Sequence, residues 1–293
     1  MNKTEYFTLN NGREIPKLGL GTFASNGDEL EKAIKTALKV GYRLFDTSLA
    51  YKNETSVGQG LWGNFWTKWI DRKKVYVTSK LFLNHCLDNK EYSGLKKTLK
   101  NLNTTYLDNY LLHWALDETY IKNYKEMEKF YKDGLVKNIG VCNMDIPRLE
   151  KLLNECDVIP AINQVEITPV FTQKPLIEFC KKHNILVMAY TPFARMHEKL
   201  FNNEILLKIA EKYNKKPTQI ILKWNIQQGR SVIPKSANPQ RIKDNFNIFD
   251  FNIESEDLKI IDSINENFRV RFDPNVYPKE WLRKHNAKRG TNV

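Results

Sequence analysis

Apolar positions along the chain switch repeatedly between two periods. Short runs that read as strands alternate with stretches whose apolar residues recur every three to four positions, as on one face of a helix. The first core run is Lys17-Leu18-Gly19-Leu20-Gly21-Thr22-Phe23. Leu30, Ala33, Ile34, Ala37 and Leu38 then follow at helical spacing. Gly41 ends that helix, because glycine tolerates the left-handed conformation at a helix C-terminus. Residues 42–46 give the next strand, and residues 75–80 another. A basic helix carries Leu95, Leu99 and Leu102, and residues 107–113 form a strand. A helix with Tyr124, Met127 and Tyr131 stops at Gly134, before a strand at 135–142. Pro147 stands near the next helix start, where its missing N–H costs nothing. A strand at 161–165, a helix with Leu176, Phe179 and Cys180, and a strand at 185–190 follow. A longer insertion has helical patterns at 205–213 and 220–224, before a last strand at 232–234 and a helix over about 239–246.

These are about eight strand–helix units, the pattern of a (β/α)₈ TIM barrel of the α/β class. Residues before Lys17 read as a short N-terminal β-hairpin closing the bottom, and those after Ser255 as one more helix and an irregular C-terminal tail. A doubly wound open sheet is the competing fold. Against it, no G-x-G-x-x-G stands at a strand-to-helix turn; Gly19-Leu20-Gly21 is only its first half, with Ala24 where a third glycine would be.

The chain has 293 residues, 41% of them hydrophobic, which suits one barrel. With glycine and proline scattered, no linker is expected: residues 1–293 form a single domain, with about 266–293 as a tail. The start Met1-Asn2-Lys3-Thr4-Glu5-Tyr6 has no apolar core of a signal peptide, and no run reaches the ~20 apolar residues of a membrane span. Cys86, Cys142, Cys156 and Cys180 contain no C-x-x-C pair and read as free thiols of a reducing, cytoplasmic compartment. The formal charge is +12, but the lysines are interleaved with apolar positions as on solvated helix faces. The basic tail residues Arg283, Lys284, Lys288 and Arg289 lie in no nucleic-acid motif, so a polyanionic small molecule is the better use of the charge. His183, His197 and His285 lack metal-ligand spacing, and no Gly-x-Ser-x-Gly elbow is present. Without heptads or another assembly signature, a monomer is expected.

Barrel active sites form at the C-terminal ends of the strands. In this reading those ends are Gly21-Thr22-Phe23, Asp46 with Tyr51 five residues on, Lys80, His113-Trp114, Cys142-Asn143, Gln164 with Glu166, Tyr190-Thr191 and Lys235-Ser236. Taken singly, each has an ordinary explanation: a helix cap for Asp46, packing for Tyr51, a surface charge for Lys80, a core histidine for His113. Polar residues recurring at one end of an otherwise apolar barrel are nonetheless a site-like pattern.

The segments Gly41-Tyr42-Arg43-Leu44-Phe45-Asp46-Thr47, Tyr51-Lys52-Asn53-Glu54, Val57-Gly58 and Thr78-Ser79-Lys80-Leu81 are similar to motifs of the aldo-keto reductase family. So are Leu111-Leu112-His113-Trp114, Ile139-Gly140-Val141-Cys142-Asn143, Asn163-Gln164-Val165-Glu166 and Ile233-Pro234-Lys235-Ser236, in order from about residue 7 to 270. The resemblance implies reduction of a small aldehyde or ketone by NADPH, with a catalytic tetrad of Asp46, Tyr51, Lys80 and His113. A tyrosine hydroxyl, with a reference pKa of ~10, is a poor acid near neutrality unless tuned. Lys80 is expected to lower that pKa, with Asp46 keeping Lys80 charged and His113 positioning the carbonyl. The resemblance also implies that Asn143 and Gln164 hold the nicotinamide carboxamide and that Tyr190 stacks on the ring. By the same resemblance, Gly21, Thr22, Asp46, Cys142 and Thr191 are expected to adjoin the cofactor, and Lys235, Ser236, Asn238, Arg241 and Asn245 match the segment that in the family holds the adenosine end. Two cations there favour NADPH over NADH. The alternative is a cofactor-binding regulatory or structural protein on the same barrel, against which the complete tetrad speaks.

Several positions depart from the family. Ala115 follows His113-Trp114 where proline is usual, leaving that loop free to take another path. Cys142 replaces a serine and, as a weak hydrogen-bond partner, is expected to hold the carboxamide less firmly. Thr191 keeps the hydroxyl of a common serine. The loop over 193–201 is short and carries Arg195, Met196 and His197, so its closure over the cofactor is expected to differ. Phe23, Tyr51, His113 and Trp114 should line the substrate mouth. The tail holds Phe272, Tyr277 and Trp281, none assigned a role. An aromatic pocket fits a hydrophobic carbonyl, and a basic rim of Arg195, Arg269 and Arg271 tolerates an acidic one.

Overall fold

The computed structural model describes residues 4–63, 67 and 70–289. Met1, Asn2, Lys3, the final residues 290–293 of the expected domain, and the side chains of Lys288 and Arg289 lie outside the described residues. The hairpin comes first: β1 (Tyr6–Thr8) pairs antiparallel with β2 (Glu14–Pro16), Phe7 opposite Ile15. Eight parallel strands follow: β3 (Gly19–Gly21), β4 (Leu44–Asp46), β5 (Tyr76–Leu81), β6 (Leu107–Leu112), β7 (Val136–Cys142), β8 (Ile162–Glu166), β9 (Leu186–Tyr190) and β10 (Ser231–Ile233). Neighbours in sequence are neighbours in the sheet. The seam closes where Val232 N–H donates to Lys17 O (2.9 Å) and Gly21 N–H to Pro234 O (3.0 Å). The sheet is therefore a barrel, as the alternation of strand and helix patterns predicts.

Helices alternate with these strands. α1 (Gly27–Val40) ends at Gly41, whose φ of 128° is open to glycine, with the Gly41 N–H on Ala37 O. α2 (Glu54–Trp62) was not foreseen: it is short and interrupted by Gly58 and Gly60, which give no periodic signal. Those glycines let it approach its neighbours, since a Cβ on Gly58 would lie 2.7 Å from Leu102 O. α3 (Leu83–Leu87) and α4 (Glu91–Leu102) lead to β6, α5 (Tyr120–Lys132) to β7, α6 (Ile146–Glu155) to β8 and α7 (Lys174–Lys182) to β9. Pro147 lies in the first turn of α6, where Asp145 caps by accepting from Arg148 N–H. The insertion holds α8 (Glu198–Phe201), α9 (Glu204–Lys212) and α10 (Pro217–Gln227). α11 (Pro239–Phe246) and α12 (Ser255–Asp262) follow β10.

The tail after α12, expected to be irregular, is not so throughout. It ends in α13 (Tyr277–Arg289), whose Tyr277, Trp281 and Leu282 pack on Leu83, Trp114 and Leu116. Its apolar residues are too few to announce a helix; the partners they meet are distant in sequence. Beneath the barrel, Leu9 and Ile15 of the hairpin pack with Leu44, Leu111, Met188 and Ile233. Asn10 and Asn11 side chains donate to Pro160 O (3.1 Å) and Asn138 Oδ1 (2.8 Å) at the N-terminal ends of the strands. With the bottom plugged, only the C-terminal ends remain for a site. Among the described residues no helix is long and apolar enough to cross a membrane.

Candidate active site

Asp46 is the last residue of β4, Lys80 lies near the end of β5, and His113 directly follows β6. Tyr51 sits on a single 3₁₀ turn over Leu49–Tyr51. Ser48 caps that turn, its Oγ accepting from Ala50 N–H at 3.2 Å, and Lys52 closes it in the left-handed region at φ 57°. Three strand ends and one capped turn thus converge four side chains that are spread over more than sixty positions of sequence.

Lys80 is 1% exposed and Asp46 3%. The Lys80 ammonium donates to Asp46 Oδ1 at 2.6 Å and to Thr47 O at 2.8 Å, and lies 5.0 Å from the centroid of the Tyr51 ring. Gln164 Nε2–H donates to the other Asp46 oxygen at 2.7 Å. Burial works against the charge on Lys80, but the fields of Asp46 and Tyr51 outweigh it and raise its pKa, so the ammonium is kept. Tyr51 departs from expectation. Burial raises its pKa more than Lys80 lowers it, and the phenol is held above its ordinary 10.0. The lowering influence of Lys80 is there, but desolvation of the phenolate is larger. His113 is pushed well below its ordinary 6.5 by burial first, then by the charges of Lys80 and Arg271, and is therefore a neutral imidazole near neutrality. Ser48 Oγ lies 3.2 Å from His113 Nδ1. Because that oxygen already accepts from Ala50, its own proton is free for Nδ1, which favours the tautomer with the hydrogen on Nε2. Ser48 carries no motif signal and was missed.

One cavity of about 790 Å³ opens over these residues. Gly21, Thr22, Phe23, Asp46, Tyr51, His113, Trp114, Asn143, Gln164, Tyr190, Thr191, Lys235, Ser236, Arg241 and Asn245 all line it. Lys80, Cys142 and Asn238 do not. Lys80 lies beneath the Tyr51 ring. Cys142 is buried behind the wall with its thiol 4.0 Å from Gln164 Oε1, and burial pushes that thiol up and keeps it protonated. Asn238 spends its side chain capping α11, accepting from Gln240 N–H (2.9 Å) and Arg241 N–H (3.0 Å). Asn143 is in the left-handed region at φ 56°, which turns its amide to the rim. It accepts from the Tyr190 hydroxyl at 2.7 Å and donates to His113 O at 3.2 Å.

The cavity has two ends. At one, Lys235, Ser236 and Arg241 gather around the start of α11, with Lys216 paired to Asp244 at 2.5 Å. At the other, the tail supplies Arg271, Phe272 and Tyr277. Tyr277 lies 4.6 Å from Trp114 and 4.6 Å from Phe272 between ring centroids. Trp281 stands behind, on Phe82 at 5.5 Å. Of the three basic rim candidates, Arg195 and Arg271 line the cavity, whereas Arg269 lies over Phe171. The loop over 193–201 is drawn in: Phe193, Arg195, Met196 and Phe201 line the cavity. Thr191, Ala194, Arg195 and Met196 all have positive φ, from 44° to 62°, a strained run without glycine. The Lys199–Glu266 ion pair (2.5 Å) and the His197 ring 4.7 Å from Phe268 fasten this loop to the start of the tail. Beyond Ala115, Leu116 folds inward and is buried with Trp114. Among the described residues, no cluster of three or more His, Cys, Asp or Glu is placed to hold a metal ion.

The family model described as "Aldo/keto reductase family" matches residues 17–266. A glyoxal reductase of Bacillus subtilis (strain 168) is 40% identical, the match covering 91% of this chain and 95% of the relative. The crystal structure of MGS-M4, an aldo-keto reductase from a deep-sea metagenome library, superposes with a TM-score of 0.88 at 36% identity, covering 93% of this chain and 99% of that one. A Bombyx mori aldo-keto reductase solved in complex with NADP gives 0.86 at 31% identity, over 94% and 97% of the two chains. With the barrel, the convergent strand ends and the matched span in agreement, the chain belongs to the aldo-keto reductase family.

Proposed function

We propose that this protein reduces a small aldehyde or ketone to the alcohol with NADPH, Tyr51 giving the proton. The observation that carries the reading is the buried Lys80–Asp46 pair, 2.6 Å apart, directly beneath the Tyr51 ring and beside a neutral histidine. A carbonyl oxygen seated between the Tyr51 hydroxyl and His113 meets two neutral donors. The phenol, held protonated by burial, is in the right state to act as acid at neutral pH. Giving up its proton leaves a phenolate, and the ammonium of Lys80 stabilises that charge at the moment it forms. Asp46, with both oxygens engaged, keeps the ammonium charged and in place. His113 donates to the oxygen without changing charge itself.

The donor set of the cavity fits a dinucleotide. Two side-chain amides, Asn143 and Gln164, stand beside the reactive end, and among the described residues the weak thiol of Cys142 is the partner of Gln164 Oε1. They would hold a carboxamide, with Tyr190 at the ring. Lys235, Ser236 and Arg241 would hold a ribose phosphate at the far end, a guanidinium matching a phosphate dianion. NADPH bound there supplies the hydride that reaches the carbonyl carbon. Names of relatives support the class: one is a glyoxal reductase, and another was solved with NADP. Four free cysteines, three of them buried, are in keeping with a reducing cytosol.

The test is NADPH consumption over a panel of aldehydes and ketones, wild type against Tyr51→Phe. Turnover that falls by about 10²–10⁴-fold in the variant, with NADPH binding retained, is the expected result. Tight NADPH binding without turnover of any carbonyl would overturn the enzyme reading in favour of a cofactor-binding regulatory protein.

A further inference from the structure

At the reactive end of the cavity, the Arg271 guanidinium makes no ion pair among the described residues, although the carboxylate of Glu166 lies within its field. Arg271 lies over Phe23 and Phe272, 5.1 and 5.2 Å from their ring centroids. Phe23 in turn meets Tyr51 edge-on at 5.1 Å, so one ring separates the cation from the phenol. Among the described residues, the acids lining the cavity are Asp46, paired with Lys80, and Asp244, paired with Lys216. Neither pairs with Arg271, whose charge is felt at His113.

Nor is this arginine on a loose arm. Glu166, the last residue of β8 and 1% exposed, reaches from the barrel rim into the tail. Its two oxygens accept from Val270 N–H at 2.9 Å and Arg271 N–H at 3.0 Å. Beyond Arg271, Phe272 stacks on Tyr277 and Tyr277 packs on Trp114. The backbone that carries Arg271 is thus fixed on both sides, which lowers the entropy cost of using it as a contact. Its surroundings are aromatic, and an apolar wall strengthens the attraction of a cation for an anion. A neutral carbonyl compound would leave the fork of donors on Arg271 unused, whereas a carboxylate accepts two of them in one plane.

We infer that the reactive end takes a carbonyl compound that also bears a carboxylate, gripped by Arg271, with Glu166 positioning that arginine. This rests on the reductase reading and narrows its substrate class to oxo-acids and aldehyde acids. Hydride and proton transfer at the carbonyl are unchanged; the carboxylate is only an anchor.

Two measurements decide it. The first is kcat/KM for succinic semialdehyde against butanal, equal in chain length and differing in the carboxylate. The second is binding of butyrate against butanol to the NADP⁺-loaded protein, which needs no turnover. In wild type the acid should be favoured by about tenfold, and Arg271→Gln should reduce that ratio by about tenfold, mainly through KM. Arg271→Lys should fall between, keeping the charge but losing the fork. Glu166→Gln should raise KM for the acid more than for butanal, whereas a general loosening would lower kcat for both. Independently of any variant, raising salt from about 50 to about 500 mM should raise the wild-type KM for the acid alone. Turnover of both aldehydes with a ratio that Arg271→Gln and salt leave unmoved overturns the inference and leaves the reductase reading standing. Arg271-dependent butyrate binding without turnover of either aldehyde does the reverse. Neither turnover nor butyrate binding overturns both.

Discussion

Burial shifts the two donors of the site in opposite directions, and both shifts leave a neutral hydrogen-bond donor at neutral pH. The Tyr51 phenol is raised above 10.0, and the His113 imidazole is depressed well below 6.5. The histidine shift carries a stability cost with a defined sign. The folded state binds fewer protons at His113 than the unfolded chain once pH falls below 6.5, so stability is fully present above that value and is lost as pH falls towards the depressed folded pKa. Between about pH 7 and about pH 5 the urea midpoint of wild type should therefore drop more steeply than that of His113→Gln. Equal slopes would mean that the imidazole ionises in the fold as readily as outside it. If Tyr51 is the acid of the proposed reaction, turnover should show no loss from its ionisation across the neutral range, since burial raises its pKa.

The segment around the start of α11 is where a helix and a strand end cooperate. Pro239 opens the helix and Asn238 caps it, so two of the first backbone N–H groups are already taken. In the proposed function, grip on a phosphate would then fall to the exposed side chains of Lys235 and Arg241, with Ser236 beside them. Arg241→Gln should weaken NADPH binding by about tenfold, the worth of one charge-assisted contact on an exposed surface. NADH binding should barely move, and the difference should shrink in high salt. Fluorescence titration with both dinucleotides checks this; equal losses for the two would remove Arg241 from the 2′-phosphate. α11 itself was legible from sequence, bounded by Pro239 and a clean apolar face. α13 was not, because Tyr277, Trp281 and Leu282 gain their meaning only from Trp114 and Leu83, more than 150 positions away. α2 was missed for the opposite reason: besides Glu54 its buried positions are Val57 and Leu61 with Gly58 and Gly60, so two glycines that serve packing dilute a short periodic signal.

Barrel closure sets the limits for the whole molecule. Gly140 of β7 faces the neighbouring strand so closely that an added Cβ would lie 2.5 Å from Ile162 O and 2.9 Å from Leu111 Cδ2. Gly140→Ala should destabilise the fold by about 1–3 kcal/mol, read as a lower midpoint in denaturant. An unchanged midpoint would mean that β7 and β8 can part without cost. The net charge of +12 is largely a surface property. Lysines such as Lys129, Lys212 and Lys259 hold acidic neighbours on the helix faces, as their interleaved spacing suggests. The cations at the site are buried Lys80 and the few that line its cavity, and net charge alone does not single them out.

By itself the sequence determined the barrel, the hairpin beneath it, and the residues that stand at the ends of the strands. Those follow from local periodicity, from glycine and proline at element boundaries, and from motifs that lie within single strand ends. The site that those ends assemble is legible to the same extent: Asp46, Lys80 and His113 were placed by where their strands stop. Only the tertiary structure decided which protonation state each group holds, because desolvation outweighs Lys80 at Tyr51 and depends on every wall of the cavity. It alone moved Cys142 behind the wall, and it alone brought Ser48 to His113 and Glu166 to the tail. Such contacts join residues tens to more than a hundred positions apart, and no local pattern encodes a distance of that kind.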